Sequence, residues 1–259
     1  MSQDPTELDY VSPNWSDPAW WDDFYANKLE DWEAKSYRER DASHLIEIIK
    51  KFRFEPPLRI LDAGTGISYL AELAAYMGHK VVCVDISSFA IETCRKRIVT
   101  PGEMTGCLWR YYNLRYFRGE CQYLDRVTGK AADPWEKLVS LHRYGGEILA
   151  YEVMDWNDPQ LLERYGQFDL ILNENGFRNG SDKFIMKSLN SFYRLLKPGG
   201  VMIESNFNLI DRLKTIEKMV TEAGFTKLDE WNFYLDFTPS QELEINRSDK
   251  YAVCCWPTG

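Results

Sequence analysis

The sequence predicts an α/β fold with one seven-stranded, mostly parallel sheet and helices on both faces. Three observations predict it. From residue 58 onward, short apolar runs alternate with helical patterns, the rhythm of βαβ units. The first two runs, in LRILDAGTG and KVVCVDIS, are apolar on both faces, as buried parallel strands are. The last two, TKLDEWNFY and DKYAVCCW, have no helix between them, so the last strand is expected to run antiparallel at the sheet edge.

The elements follow in order. Residues 1–57 form an expected N-terminal arm and helical lid. Pro5, Pro13 and Pro18 keep its first part irregular. Trp21, Phe24, Tyr25, Leu29 and Trp32 then recur as one helical stripe, and Leu45, Ile46, Ile48 and Ile49 suggest a second helix that Pro56-Pro57 ends. Residues 58–259 form the main domain. After strand one, ISYLAELAAYMG places Ile67, Leu70, Leu73, Ala74 and Met77 on one side and stops at Gly78. SFAIETCRKRIV follows strand two. Residues 100–146, rich in Arg, Tyr and Trp without a clean period, are too long for a structureless loop and read as a subdomain inserted between strands two and three. The rhythm resumes with GEILAYEV, the short helix DPQLLERYG, FDLILNEN, a helix from Asp182 ending at Pro198 and Gly199, VMIESNF, and the helix DRLKTIEKMVTEAGF.

Composition excludes several classes. Of 259 residues, 44% are hydrophobic and 27% charged, which rules out wholesale disorder. No stretch approaches the roughly 18 apolar residues of a membrane span, and the acidic start MSQDPTELDY does not resemble a secretory leader. Six cysteines (83, 94, 107, 121, 254 and 255) fall in no metal-ligand spacing and read as reduced thiols, so a cytoplasmic setting without a metal site is expected. The net charge is −9, and residues 1–33 carry −8 of it, with nine acids against Lys28. A generic polyanion binder would carry an excess of Lys and Arg, so nucleic acid is not the expected partner.

The strongest chemical signal is LDAGTGIS at the end of strand one. Ligands of open α/β sheets sit beyond the carboxyl ends of the strands. Gly64 and Gly66 permit a tight turn and close backbone approach. Asp85 ends strand two, where a carboxylate can accept both hydroxyls of a ribose. A dinucleotide fingerprint needs a third glycine at position 69, and Tyr69 stands there. Asp62, two residues before Gly64, suits a cationic ligand group better than a pyrophosphate.

With these residues the chain resembles the class I, Rossmann-like, S-adenosylmethionine-dependent methyltransferases. The matching pieces are Asp62–Gly66, Asp85, Asp155-Trp156, Phe168–Asn173 and Leu196–Gly200, in the family's order over residues 58–99 and 147–257. Ser68 replaces the family's third glycine. The resemblance implies S-adenosylmethionine as cofactor and S-adenosylhomocysteine as product. It implies that Asp62 and the backbone of Gly64, Thr65 and Gly66, with Ser68 beside them, hold the amino-acid end. Asp85 would take the ribose, Ile86 would pack on the adenine, Asp155 would accept from its exocyclic amine and Trp156 would flank it. Asn173 would face the methyl group and substrate.

Methyl transfer to oxygen benefits from a base. Glu174 is the first candidate, with Asn173 and His142 as further catalytic candidates. Asn175, Phe177 and Arg178 follow strand four and are candidates for binding substrate. So are Trp21 and Tyr25 of the lid, whose rings among Asp22 and Asp23 can enclose a cationic group. The plainer reading of that helix packs the rings on the sheet and leaves the acids in water. The expected partner is a small-molecule methyl acceptor. The rival readings are methylation of a protein side chain or RNA, aminopropyl transfer on the same scaffold, and a catalytically silent scaffold subunit.

Overall fold

A computed structural model describes residues 16–34, 57–68, 70–76, 79–96, 149–174, 176–177, 180–205, 213–227 and 251–255. The expected irregular arm, the second helix of the lid and the insert at 100–146 lie outside the described residues.

Helix α1 (Pro18–Ala34) comes first, followed by β1 (Arg59–Ala63), α2 (Leu70–Tyr76), β2 (Lys80–Asp85) and α3 (Ser88–Lys96). The chain continues with β3 (Leu149–Val153), α4 (Gln160–Tyr165), β4 (Phe168–Glu174), α5 (Asp182–Leu195) and β5 (Leu196–Ser205). It closes with α6 (Leu213–Glu222), β6 (Thr226–Lys227) and β7 (Tyr251–Cys255). The strands form one sheet in the order β3-β2-β1-β4-β5-β7-β6. Strand order reverses between β1 and β4, and a crevice at such a switch point is where open α/β sheets bind ligands.

One edge departs from expectation. Strand β7 runs parallel to β5, with Val201 beside Tyr251 and Ser205 beside Cys255, and parallel to β6 as well. The expected antiparallel last strand is therefore corrected. A parallel pair needs a crossover of a dozen or more residues, and residues 228–250, between β6 and β7, supply that length. The helix before β5 also ends sooner than expected. Pro198 and Gly199 lie in β5, and α5 stops at Leu195. A residue before proline avoids the helical region, so the helix breaks ahead of Lys197. There Gln167 Nε2 donates to the carbonyls of Arg194 and Leu196.

Alternation along the strands builds the core. Leu61, Ala63, Val82, Val84, Ile171 and Met202 share one cluster with Ile185, Leu189 and Phe192 of α5 and Ile216, Met219 and Val220 of α6. The alternate residues, Asp62, Cys83 and Asp85 among them, point to the opposite face, and α2 and α3 pack against β2. The amino ends of the strands are fastened separately. Asp169 accepts from the Arg59 amide at 2.8 Å and from Lys197 Nζ at 2.7 Å. His79 is buried, and its Nδ1 accepts from the Leu58 amide at 3.2 Å. Burial holds its pKa down at about 4, so the imidazole stays neutral.

Phe192 is fully buried and stacks on Phe177, with ring centroids 6.1 Å apart. Phe192→Ala should lower unfolding free energy by about 3–5 kcal/mol in urea titrations. A loss below about 1 kcal/mol would contradict this packing.

Candidate functional site

The site forms where β1, β2 and β4 end. Gly64 and Gly66 both take positive φ, +78° and +52°, conformations that glycine adopts without strain. The amides of Gly64 and Thr65 both donate to the Val84 carbonyl, at 2.8 and 3.2 Å, which ties the turn after β1 to the end of β2. Thr65 Oγ1 donates to Asp62 Oδ2 at 2.7 Å. Ser68 Oγ accepts from the Leu70 amide at 3.2 Å and so supports the start of α2.

Asp85 is the hinge of this arrangement. Its Oδ2 accepts from the Gly66 amide at 2.9 Å and its Oδ1 from the Ser87 amide at 2.8 Å. It is 5% exposed. Burial pushes its carboxyl up to about 6, the amides of Ser87 and Gly66 pull against that, and the Asp22 charge adds to the rise. Asp62, also buried, is the second-last residue of β1 and pairs with Cys83 of β2. Two buried carboxylates thus occupy the same face of neighbouring strands, each bonded to a residue of the glycine turn, an arrangement that suits hydroxyl and ammonium donors.

Helix α1 covers this floor. Tyr25 is 6% exposed and packs with Ile67 and Ala90. A Cβ on Gly66 would stand 2.7 Å from the Tyr25 hydroxyl. Burial, with the charges of Asp85, Cys94 and Asp62 behind it, holds the Tyr25 phenol protonated well above its ordinary range. Asp22 faces the start of α3: its Oδ1 accepts from Ser87 Oγ at 2.6 Å and from the Phe89 amide at 2.9 Å, and its Oδ2 from Ser88 Oγ at 3.0 Å. Burial raises the Asp22 pKa, but those hydrogen bonds outweigh it and hold the group below its ordinary value. The plainer expectation for this helix is therefore corrected. Its rings rest on the Gly66 turn and the start of α3, and Asp22 sits in the contact because it meets amide and hydroxyl donors there.

On the other side, Asp155 is exposed, and its Oδ1 accepts from the amide of Asn157 at 2.8 Å and from Asn157 Nδ2 at 3.1 Å. Trp156 donates through Nε1 to Ser188 Oγ at 2.9 Å, and its ring edge would meet a Cβ on Gly64 at 3.2 Å. Asn173, near the end of β4, is 1% exposed. Among the described residues neither its Oδ1 nor its Nδ2 has a hydrogen-bond partner, an unusual cost for a buried amide. Gly176 closes over it so tightly that a Cβ there would fall 1.7 Å from Oδ1. Phe177 is fully buried against Phe192, a core position rather than a surface that could meet substrate.

The structure therefore gathers Asp62, Gly64, Thr65, Gly66, Asp85, Trp156 and Tyr25 around one turn. Ile86 follows Asp85 and is half-buried. Trp21 packs beside Tyr25, ring centroids 5.7 Å apart. The backbone of Glu174 ends β4, while His142, Asn175 and Arg178 lie outside the described residues. Sequence reasoning missed Ser87, which caps α3 by accepting from the Ala90 amide at 3.0 Å while it donates to Asp22. A serine two residues past Asp85, at a helix start, was the available signal. It also missed Cys94, whose Sγ donates to the Gly66 carbonyl at 3.3 Å, for which no local pattern exists. Among the described residues no cluster of His, Cys, Asp and Glu could hold a metal ion, and no helix is long and apolar enough to cross a membrane.

No family model and no curated protein sequence matches the chain. Solved structures resemble it in shape. A TehB-like SAM-dependent methyltransferase from Corynebacterium glutamicum is 16% identical, with 80% of this chain and 84% of that one covered and a TM-score of 0.47. Magnesium protoporphyrin IX methyltransferase from Synechocystis, with bound SAH, is 12% identical over 79% and 87%, with a TM-score of 0.43. The N-methyltransferase NodS from Bradyrhizobium japonicum is 12% identical over 74% and 85%, with a TM-score of 0.41.

Asp85 makes stability depend on pH in a definite sense. Its folded pKa of about 6 lies above the ordinary 3.8, so the fold favours the protonated form. The stability this confers is complete below pH 3.8 and is lost as pH rises through about 6. Asp85→Asn should remove that loss. In urea titrations across this range the wild-type protein should weaken relative to the variant, and parallel profiles would overturn the assignment.

Proposed function

We propose that this chain is an S-adenosylmethionine-dependent methyltransferase that moves a methyl group to an N or O atom of a small molecule. The observation that carries the reading is Asp85, a buried carboxylate with a raised pKa at the carboxyl end of β2, bonded to the glycine turn that follows β1. Among the described residues no cation faces this carboxylate. Each of its oxygens accepts one amide and keeps capacity for a hydroxyl donor. The adjacent hydroxyls of a ribose are such a pair of donors. Two further features fit. The turn has no Cβ at positions 64 and 66, and what approaches its backbone there is the Trp156 ring edge and the Tyr25 hydroxyl, side chains that a ligand would have to move; the amide of Asn173 has no polar partner among the described residues. The dinucleotide alternative fits less well. The third glycine is missing, and the last strand inserts between β5 and β6 rather than the sheet ending 4-5-6.

When bound, S-adenosylmethionine supplies a methyl group on a sulfonium, open to in-line displacement. The chain's own work is positioning, which can account for up to roughly 7–11 kcal/mol of barrier reduction. Asp85 would hold the ribose, and Asp62 with the Gly64–Gly66 backbone the amino-acid end. Ile86, Asp155 and Trp156 would bound the adenine, with Ser68 at the far side of the turn. Asn173 would orient the acceptor. Glu174 would take a proton where the acceptor is a hydroxyl, with His142 as the alternative base. Trp21 and Tyr25 on α1, with Asn175 and Arg178 after β4, would enclose the acceptor. Phe177, assigned to the same group from sequence, supports them from the core.

Calorimetry with S-adenosylmethionine tests the cofactor, and a screen of methyl acceptors by release of S-adenosylhomocysteine tests the activity. Asp85→Ala should weaken cofactor binding by about 1.5–3 kcal/mol. Wild-type affinity in a folded variant would defeat the ribose assignment. Because the charged carboxylate is the better acceptor, affinity should fall as pH drops below about 6, and calorimetry at several pH values reads this directly.

A further inference from the structure

We propose that Asp22 is a positioning residue: it fastens α1 to the start of α3, sets Tyr25 over the Gly66 turn, and so makes α1 the gate through which a ligand reaches Asp62 and Asp85. This rests on the reading of that turn as a cofactor site.

Asp22 gathers three donors from consecutive residues: Ser87 Oγ, Ser88 Oγ and the Phe89 amide. The Phe89 amide is one of the first N–H groups of α3, which have no partner within their own helix. A carboxylate from another helix therefore satisfies it and meets the positive end of the helix dipole. Three residues on, Tyr25 lies on the same face of α1. When Asp22 is seated, Tyr25 is carried onto Gly66. Among the described residues the apolar part of this contact is Tyr25, Ile67 and Ala90, with Trp21, Phe24 and Phe89 at the margin. The three charge-assisted hydrogen bonds of Asp22 add direction to it and fix where the helix sits.

The same geometry connects the fastening to the site. Ser87 donates its hydroxyl to Asp22 and its amide to Asp85, and Asp85 in turn holds the Gly66 amide. With α1 seated, both site carboxylates are buried. A ligand that needs them enters after α1 lifts, and α1 then closes on it. Release of Asp22 speeds both directions.

The test uses the full chain and two variants, Asp22→Ala and Asp22→Asn. In hydrogen exchange without ligand, the amides of residues 18–34 should exchange roughly tenfold faster in Asp22→Ala, less so in Asp22→Asn, while β1 and β4 keep their protection. In stopped-flow tryptophan fluorescence with S-adenosylhomocysteine, association and dissociation should both quicken by roughly tenfold, leaving Kd less changed than either rate. If Asp22 merely capped α3, the amides of α3 would lose protection, those of α1 would not, and the ligand rates would stay at wild-type values. That outcome overturns the proposal. Should Asp22→Ala fail to fold, Ser88→Ala removes one of the three bonds and must shift α1 exchange and both rates in the same direction. Absence of S-adenosylhomocysteine binding to the wild-type protein would sink the cofactor reading instead, and ligand-free exchange would still decide whether Asp22 fastens α1.

Discussion

Three connections of the sheet meet on one residue. Asp85 accepts from the turn after β1 through Gly66 and from the start of α3 through Ser87, and the backbone carbonyl of the same residue accepts from Met154 at 2.9 Å, just beyond β3. These are three separate connections of the sheet, and without a common acceptor their loose ends would be free to choose other conformations. Among the described residues no countercharge meets the buried carboxylate, so the cost falls on its ionised form. The fold carries this because the group is shared. Folding orders the turns around this acceptor, and the acceptor holds them in register.

Around this point the molecule divides by height along the strands. At the carboxyl ends lie the glycine turn, two buried acids and an unpartnered amide. The amino ends carry paired groups: Asp169 between Arg59 and Lys197, and His79 on Leu58. The middle is apolar and closely packed between the sheet and α5 and α6. Among the described residues, Asn173 near the end of β4 leaves both atoms of a buried amide without a partner, a cost that the paired groups at the amino ends do not carry.

The parts of this fold that were legible in sequence are those with short-range signals. The βαβ unit from Arg59 to Lys96 was readable because apolar runs, glycines and terminal acids follow one another within a few tens of residues, and Asp62 and Asp85 were found by their place at strand ends. The direction of β7 was misread because the absence of a helical pattern in 228–250 was taken for a tight return, although length alone allows a crossover. The proline at 198 was read as a helix stop at that point, whereas its restriction acts on the residues before it. The seat of α1 was illegible for a different reason. Asp22 and Ser87 are 65 positions apart, and an acid on a helix gives no local sign of whether it faces water or another helix's amides. Phe177 lies in a stretch of polar loop residues, and only packing reveals that it belongs to the core.

The division along the strands has a consequence for how such a chain can change. The clamp of Asp169, Arg59 and Lys197 shares no hydrogen bond with Asp85 or Asp62. Perturbations at distant sites without common partners add nearly independently. Substitutions that harden the lower rim can therefore accumulate without retuning the upper one, and the margin they create lets the upper rim vary while the layer of apolar side chains between them stays in place.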